Sequence, residues 1–281
     1  MTHGIHQGSH RSLWLALFVL LTLCAPSLLN RSQAQGQLAS PTGPKYALFE
    51  YFKFEPGKAA EYRKLEQEAY LPIQRERVKQ GIIKSWSVWN VRFPGGAARE
   101  YDRVTITTFD KFADVETPYP AAIFTKVFPN TTATELLARS RGLIRLVRSE
   151  LVTLLDSTAL NPQPLPPVAE INFQKVEPGK GAEYTALIAK YWKPLHEERV
   201  KRGMQRGWQR FAVRYPGGTE RDYGLISISF FDKFAQLETQ YPPELTAKVL
   251  PGVNIADATA QSNAARKTVR TQVLTLVDQV Q

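Results

Sequence analysis

The chain repeats itself at an offset of 122 residues, and this repeat limits the folds open to it more than any other feature. Glu55-Pro56-Gly57-Lys58 returns as Glu177-Pro178-Gly179-Lys180, and Glu76-Arg77-Val78-Lys79 as Glu198-Arg199-Val200-Lys201. Phe93-Pro94-Gly95-Gly96 returns as Tyr215-Pro216-Gly217-Gly218, and Phe109-Asp110-Lys111-Phe112 as Phe231-Asp232-Lys233-Phe234. No gap interrupts the match up to Leu154 and Asp156, which return as Leu276 and Asp278. A unit of this size can bury a core of its own, so the pattern is a duplicated domain and not a solenoid. The spacing places a first domain at 45–157 and a second at 167–279, joined by a Pro-rich linker at 158–166. Pro162, Pro164 and Pro166 hold that linker extended at about 3 Å per residue, long enough for the copies to meet face to face.

Within one copy, Tyr46 to Phe54 is rich in aromatics and stops at Pro-Gly, which reads as a strand closed by a turn. Tyr62, Leu65, Ala69 and Ile73 line one face of a helix predicted over Lys58 to Gln80, with Gly81 as its stop. Pro72, and Pro194 in the second copy, predict a kink or break inside that helix. Ile83 to Phe93 alternates as a strand. Ser87, Trp89, Val91 and Phe93 share a face expected to meet the helices, while Trp86, Val88, Asn90 and Arg92 share the more polar face. A hairpin at Pro94-Gly95-Gly96 leads to a strand at Tyr101 to Phe109. Asp110 is placed to cap a short helix through Glu116. Thr132 and Glu135 have capping-box spacing, repeated by Asn254 and Asp257, ahead of a helix predicted to reach about Leu146. Arg148 to Leu155 closes the copy as a strand. The order βαββαβ is an α+β, ferredoxin-like arrangement. Its sheet carries helices on one face only. Burying the two bare faces against each other makes one intramolecular, pseudo-dimeric α/β barrel.

The first 34 residues read as a signal peptide: Arg11, an apolar run over Leu13–Leu21, then Ser32-Gln33-Ala34 as a small-residue cleavage site. The run is shorter than the roughly 20 residues that span a bilayer. An exported, periplasmic or secreted protein with no membrane span after signal removal is the expectation. Cys24 is the one cysteine, and Leu23 before it disfavours a lipoprotein. The mature domains therefore have no disulfide, cysteine nucleophile or thiolate metal site. The net charge of +10 is spread along the chain and no nucleic-acid motif accompanies it, so nucleic acid is not an expected partner.

His196, whose counterpart is Gln74, is the single histidine beyond the leader. One histidine without a set of acids makes no zinc site, so no metal is expected, and a solvated position on the helix suits it best. Tyr101 and Tyr223 follow Arg-Glu and Arg-Asp and, with His196, are the candidate acid–base groups. Trp86 and Trp208 open equivalent strands, with Asn90, Arg92, Arg210 and Arg214 on the same faces. Together with Asn172 these are the candidate ligand contacts, the arginines suiting a carboxylate or phosphate. Arg77 and Arg199, flanked by acids and lysines, read as a solvated helix face.

The strand ending in Glu-Pro-Gly-Lys, the proline-bearing helix running into Glu-Arg-Val-Lys-x-Gly, the tryptophan that opens the next strand and the later Phe-Asp-Lys-Phe resemble the dimeric α/β-barrel superfamily, in both copies over residues 45 to 280. Antibiotic-biosynthesis-type monooxygenases, haem-degrading monooxygenases, NIPSNAP-like proteins and uncharacterised secreted members are its relatives, and the last resemble this chain most. Polar sets that do not match between the copies, and the lack of a repeated acid–base pair, point to a barrel that binds a small molecule or is structural, and the internal pairing of the copies to a monomer with an internal pseudo-dimer. The alternatives are a cofactor-free monooxygenase-like or isomerase-like enzyme on an apolar or aromatic compound, and an extracellular partner-binding module. Haem-degrading relatives use an asparagine, a histidine and a tryptophan. Asn172, His196 and Trp208 match in type, but the histidine is on another element and the first copy has Glu50, Gln74 and Trp86. The expectation is therefore no cofactor.

Overall fold

A computed structural model describes residues 43–96, 99–115, 119–158, 164–218, 221–238 and 241–281. The signal segment and most of the linker lie outside the described residues. The first repeat runs β1 (Tyr46–Phe54), α1 (Ala59–Leu65), α2 (Leu71–Lys79), β2 (Ser85–Phe93), β3 (Arg103–Phe109), α3 (Ala121–Val127), α4 (Ala133–Ser140) and β4 (Ile144–Ser157). The second runs β5 (Val168–Val176), α5 (Gly181–Leu187), α6 (Lys193–Lys201), β6 (Gly207–Tyr215), β7 (Leu225–Phe231), α7 (Pro243–Val249), α8 (Ile255–Ala265) and β8 (Arg266–Val280). The helix predicted to reach Leu146 stops at Ser140, because β4 starts at Ile144.

The eight strands pair antiparallel and close into a barrel in the order β1-β3-β2-β8-β5-β7-β6-β4. The seams between the halves are β2–β8 and β4–β6. They exist because β4 and β8 are long. Residues 144–153 of β4 pair with β1 of its own half, and residues 151–157 continue onto β6 of the other. Closure leaves no unpaired edge strand. A single cluster drawn from all eight strands fills the barrel, with Phe49, Tyr51, Trp89, Phe173, Phe211 and Phe230 as its large members. The helices pack outside, over separate cores for the two repeats.

Two expectations are corrected here. Alternation fixes which residues share a face but not which face points inward. Trp89 and Val91 point into the barrel, while Trp86 and Val88 pack outward with Leu71 and Ile83, the reverse of the assignment made from sequence. The polarity of the Asn90 face misled, because Arg103 of the neighbouring strand donates to Asn90 and is itself paired with Glu66 from the helix. The proline does not break its helix, which runs on without a gap from Ala59 to Lys79 and from Gly181 to Lys201. A π-helical turn, Glu66–Tyr70 and again Ile188–Trp192, widens the helix ahead of Pro72 and Pro194. The amide of Leu71 bonds to Glu66, and that of Lys193 to Ile188, each five residues back, which makes room for a ring with no N–H.

Candidate functional site

Period-2 alternation sends Glu170, Asn172 and Gln174 of β5, Trp208 and Arg210 of β6, and Ser227 and Ser229 of β7 outward beneath the helices. Ile188 and Trp192 from the π turn, His196 from α6, and Ile255 and Thr259 from α8 face them. Between the two layers lies a cavity of about 480 Å³, bounded further by Tyr184, Tyr241 and Arg266. That volume is within the range of ligand pockets, about 300–1,000 Å³.

His196 is buried, which corrects the solvated position expected for it. Its ring stacks on Trp208 with centroids 4.7 Å apart and planes 11° from parallel. Gln205, fully buried, places its Nε2 3.2 Å from both Nδ1 and the carbonyl of His196. Gln205 Oε1 lies 3.3 Å from the same Nδ1, so the amide can partner either tautomer of the ring, and Nε2 lies 3.5 Å from the Tyr241 hydroxyl. Burial, reinforced by the Arg199 cation, pushes the imidazole down to about 3, so the ring is neutral near pH 7.

Arg199 and Arg77 are also buried, against the reading of a solvated helix face. Each guanidinium lies over a tyrosine ring, Arg199 over Tyr241 at 4.9 Å and Arg77 over Tyr119 at 4.8 Å. Burial lowers both arginines from their ordinary value, and Glu170 and Glu50 respectively oppose that shift. Arg210 is 3% exposed, its Nε has no hydrogen-bond partner, and desolvation lowers it too. Tyr184 donates to Gln174 Oε1 at 3.0 Å, and Asn172 joins Glu170 to Thr271 at 3.2 and 2.6 Å.

Of the candidates named from sequence, the structure brings Asn172, His196, Trp208 and Arg210 together in this cavity. Trp86 packs in the first repeat's outer core, and Asn90 accepts two hydrogen bonds from Arg103. Arg92 and Arg214 are exposed at strand ends and form no ion pair among the described residues. Tyr101 and Tyr223 lie inside one end of the barrel, bonded to Gln272 and Glu150. Burial pushes Tyr101 up to about 12 and raises Tyr223 as well. Glu170, Gln174, Tyr184, Tyr241 and Arg266 were missed. The signal for three of them was their mismatch with the first repeat: Leu48, Phe52 and Ile144 stand where Glu170, Gln174 and Arg266 do.

The fold and site define a class: a duplicated ferredoxin-like α/β barrel with one ligand-sized cavity between sheet and helices of its second half. No protein-family model matches the chain, and no curated protein sequence does. Among solved structures it is similar to a provisionally assigned monooxygenase of Fusobacterium nucleatum subsp. nucleatum, with 9% identity, 84% of this chain and 94% of that one covered, and a TM-score of 0.53. A dyp-type peroxidase protein from Shewanella oneidensis, provisionally assigned, matches at 12% identity, 83% and 92% coverage and a TM-score of 0.49. A haem-binding protein from Thermus thermophilus matches at 10% identity, 84% and 92% coverage and a TM-score of 0.46. At these identities the likeness is one of fold, consistent with the dimeric α/β barrels.

The expectation of no cofactor is corrected by these matches, since a haem-binding protein stands among the similar structures. The donor set of the cavity fits haem. His196 is a neutral imidazole, and Gln205 Oε1, 3.3 Å from Nδ1, is in reach to accept a proton there and free Nε2 for a metal. Arg210 and Arg266 supply cations on the same wall for carboxylates. Among the described residues no group of three or more His, Cys, Asp or Glu could hold a bare metal ion, and no helix is long and apolar enough to cross a membrane.

Proposed function

We propose that the second repeat binds a planar, largely apolar small molecule carrying acidic groups, and that haem belongs to this class. The observation that carries the reading is the His196–Trp208 stack on the wall of a 480 Å³ cavity, with Arg210 buried beside it. A flat ligand gains area against Trp208, Trp192 and Ile188, and its anionic edge meets a guanidinium already held out of water. In the haem case His196 holds the iron and Arg210 and Arg266 hold the carboxylates. Bound haem supplies redox chemistry toward oxygen or peroxide. The side chains exclude water and position the ligand.

A second reading is an oxygenase acting on an aromatic compound. It is favoured by Tyr241, whose hydroxyl faces the neutral His196 at 3.5 Å as a proton-transfer pair, and is in keeping with the monooxygenase assignment of the Fusobacterium protein. Export through residues 1–34 belongs to the same proposal, and mass spectrometry of the mature N-terminus tests it.

Titration with haem and with metal-free protoporphyrin separates the outcomes. A Soret shift lost in His196→Ala, with protoporphyrin still quenching tryptophan fluorescence, supports haem held by that imidazole. Equal binding of both porphyrins, insensitive to His196→Ala but weakened about tenfold by Arg210→Ala, supports a metal-free ligand of the same shape. Binding of neither refutes the reading.

A further inference from the structure

A second cavity, of about 320 Å³, opens inside the barrel itself at the end where β2 and β6 begin. It is distinct from the helix-side cavity, because its walls are the inward faces of both repeats. Trp89 and Ile106 come from the first repeat, and Phe211, Ile228 and Phe230 from the second. The two ends of this barrel are built differently. At the far end Tyr51, Tyr101, Phe173 and Tyr223 fill the lumen, with the Arg148 and Arg270 guanidinia 4.2 Å from the Tyr51 and Phe173 rings. At the near end Ser85 and Ser87 of β2, Thr108 of β3 and Gln209 of β6 line the lumen, and they are too small or too slender to meet across it.

The chemistry of the walls sets the ligand. Trp89 Nε1 donates to Ser87 Oγ at 2.9 Å, and Ser85 and Thr108 share a hydrogen bond of 2.6 Å, so these polar groups are already satisfied. Lys84 is paired with Asp110 at 3.0 Å and the Gln281 amide nitrogen donates to Gln279 at 3.1 Å, which leaves three aromatic rings, Ile106, Ile228, Leu165, Pro44 and the Gln209 amide facing the space. A flat apolar molecule gains here by removing these walls and its own surface from water. We propose that this barrel end is a binding site for a neutral aromatic molecule of two or three rings, with at most one hydrogen-bonding group directed at Gln209. The site is independent of the helix-side ligand and of its identity.

N-phenyl-1-naphthylamine, a neutral fluorescent probe of that size, tests it on the full chain. Saturable binding of one probe per chain is expected. Gln209→Trp fills the space and is expected to weaken binding at least about tenfold, whereas Gln209→Leu, which adds apolar wall without filling it, tightens binding about threefold. The leucine variant keeps the test valid if the tryptophan disturbs folding, which thermal unfolding reports. Thr259→Trp, which obstructs the helix-side cavity, leaves probe affinity within about twofold because the two spaces lie on opposite faces of the sheet. Absence of saturable binding overturns the proposal. So does binding abolished by Thr259→Trp but indifferent to both Gln209 variants.

Discussion

In the second repeat the space between sheet and helices holds a cavity of about 480 Å³. In the first, the same space is crossed by Arg103, whose Nη1 reaches Glu66 Oε2 at 2.6 Å and whose guanidinium lies 4.9 Å over Phe54. A few paired substitutions separate the two. Glu66 becomes Ile188, Arg103 becomes Leu225, Phe52 becomes Gln174, Val88 becomes Arg210 and Gln74 becomes His196. Gln74 bridges Arg77 and Tyr119 at 2.7 and 3.3 Å, whereas His196 stacks on Trp208 and lines the opening. The first repeat spends its buried charges on each other, and the second aims them at a space. Duplication permits this: one half secures the barrel while its twin keeps a site.

The largest effect should come from opening the first repeat. Glu66→Ile leaves Arg103 buried with only Asn90 as polar partner, and should destabilise the protein by about 3–5 kcal/mol. Glu66→Ile with Arg103→Leu copies the second repeat, and should recover most of that loss because an apolar pair of similar volume replaces the ion pair. Denaturant unfolding measures both. If the single variant costs under about 1 kcal/mol, the ion pair is not what closes the first repeat, and the contrast between the halves must lie elsewhere.

A middle-sized effect follows from His196. The folded imidazole takes a proton only near 3, the unfolded one near its ordinary value of 6.5. As pH falls below 6.5 the unfolded state binds the proton and the folded state does not, so stability drops, by about 2 kcal/mol at pH 5. His196→Gln, which installs the first repeat's residue, should remove that part of the acid sensitivity. Midpoints of unfolding between pH 4 and 8 check it, and parallel curves for the two proteins would show that the histidine is charged when folded.

The repeat made the barrel legible in the sequence, since a sheet with helices on one side and a twin in the same chain has one efficient way to bury its bare face. The strand spans followed from alternation, β1 to the residue. The inward face did not, because a buried network such as Arg103–Glu66–Asn90 gives a helix-facing surface the look of a wet one. The site was half legible. Asn172, His196, Trp208 and Arg210 stood out as residue types, but their meeting depends on β5, β6 and α6 packing at one depth. Arg199 was misread because Glu-Arg-Val-Lys has the composition of a solvated helix, and only the π turn ahead of it sets which side of α6 faces in.

The smallest effect sharpens the comparison at the helix ends. Thr132 caps α4 with a full capping box: its Oγ1 accepts from Glu135 N at 3.2 Å, and Glu135 accepts from Thr132 N at 2.7 Å. Asn254 caps α8 with a single bond, accepting from Ala256 N at 2.9 Å. Thr132→Ala and Asn254→Ala should each cost about 1 kcal/mol. Their effects on binding should differ, because α8 carries Ile255 and Thr259 over the cavity, while α4 covers the closed half. Asn254→Ala should therefore weaken porphyrin binding about twofold by loosening the roof, and Thr132→Ala should leave it unchanged. Equal weakening by both would mean that the first repeat senses the ligand, and that the two halves work as one site rather than as scaffold and site.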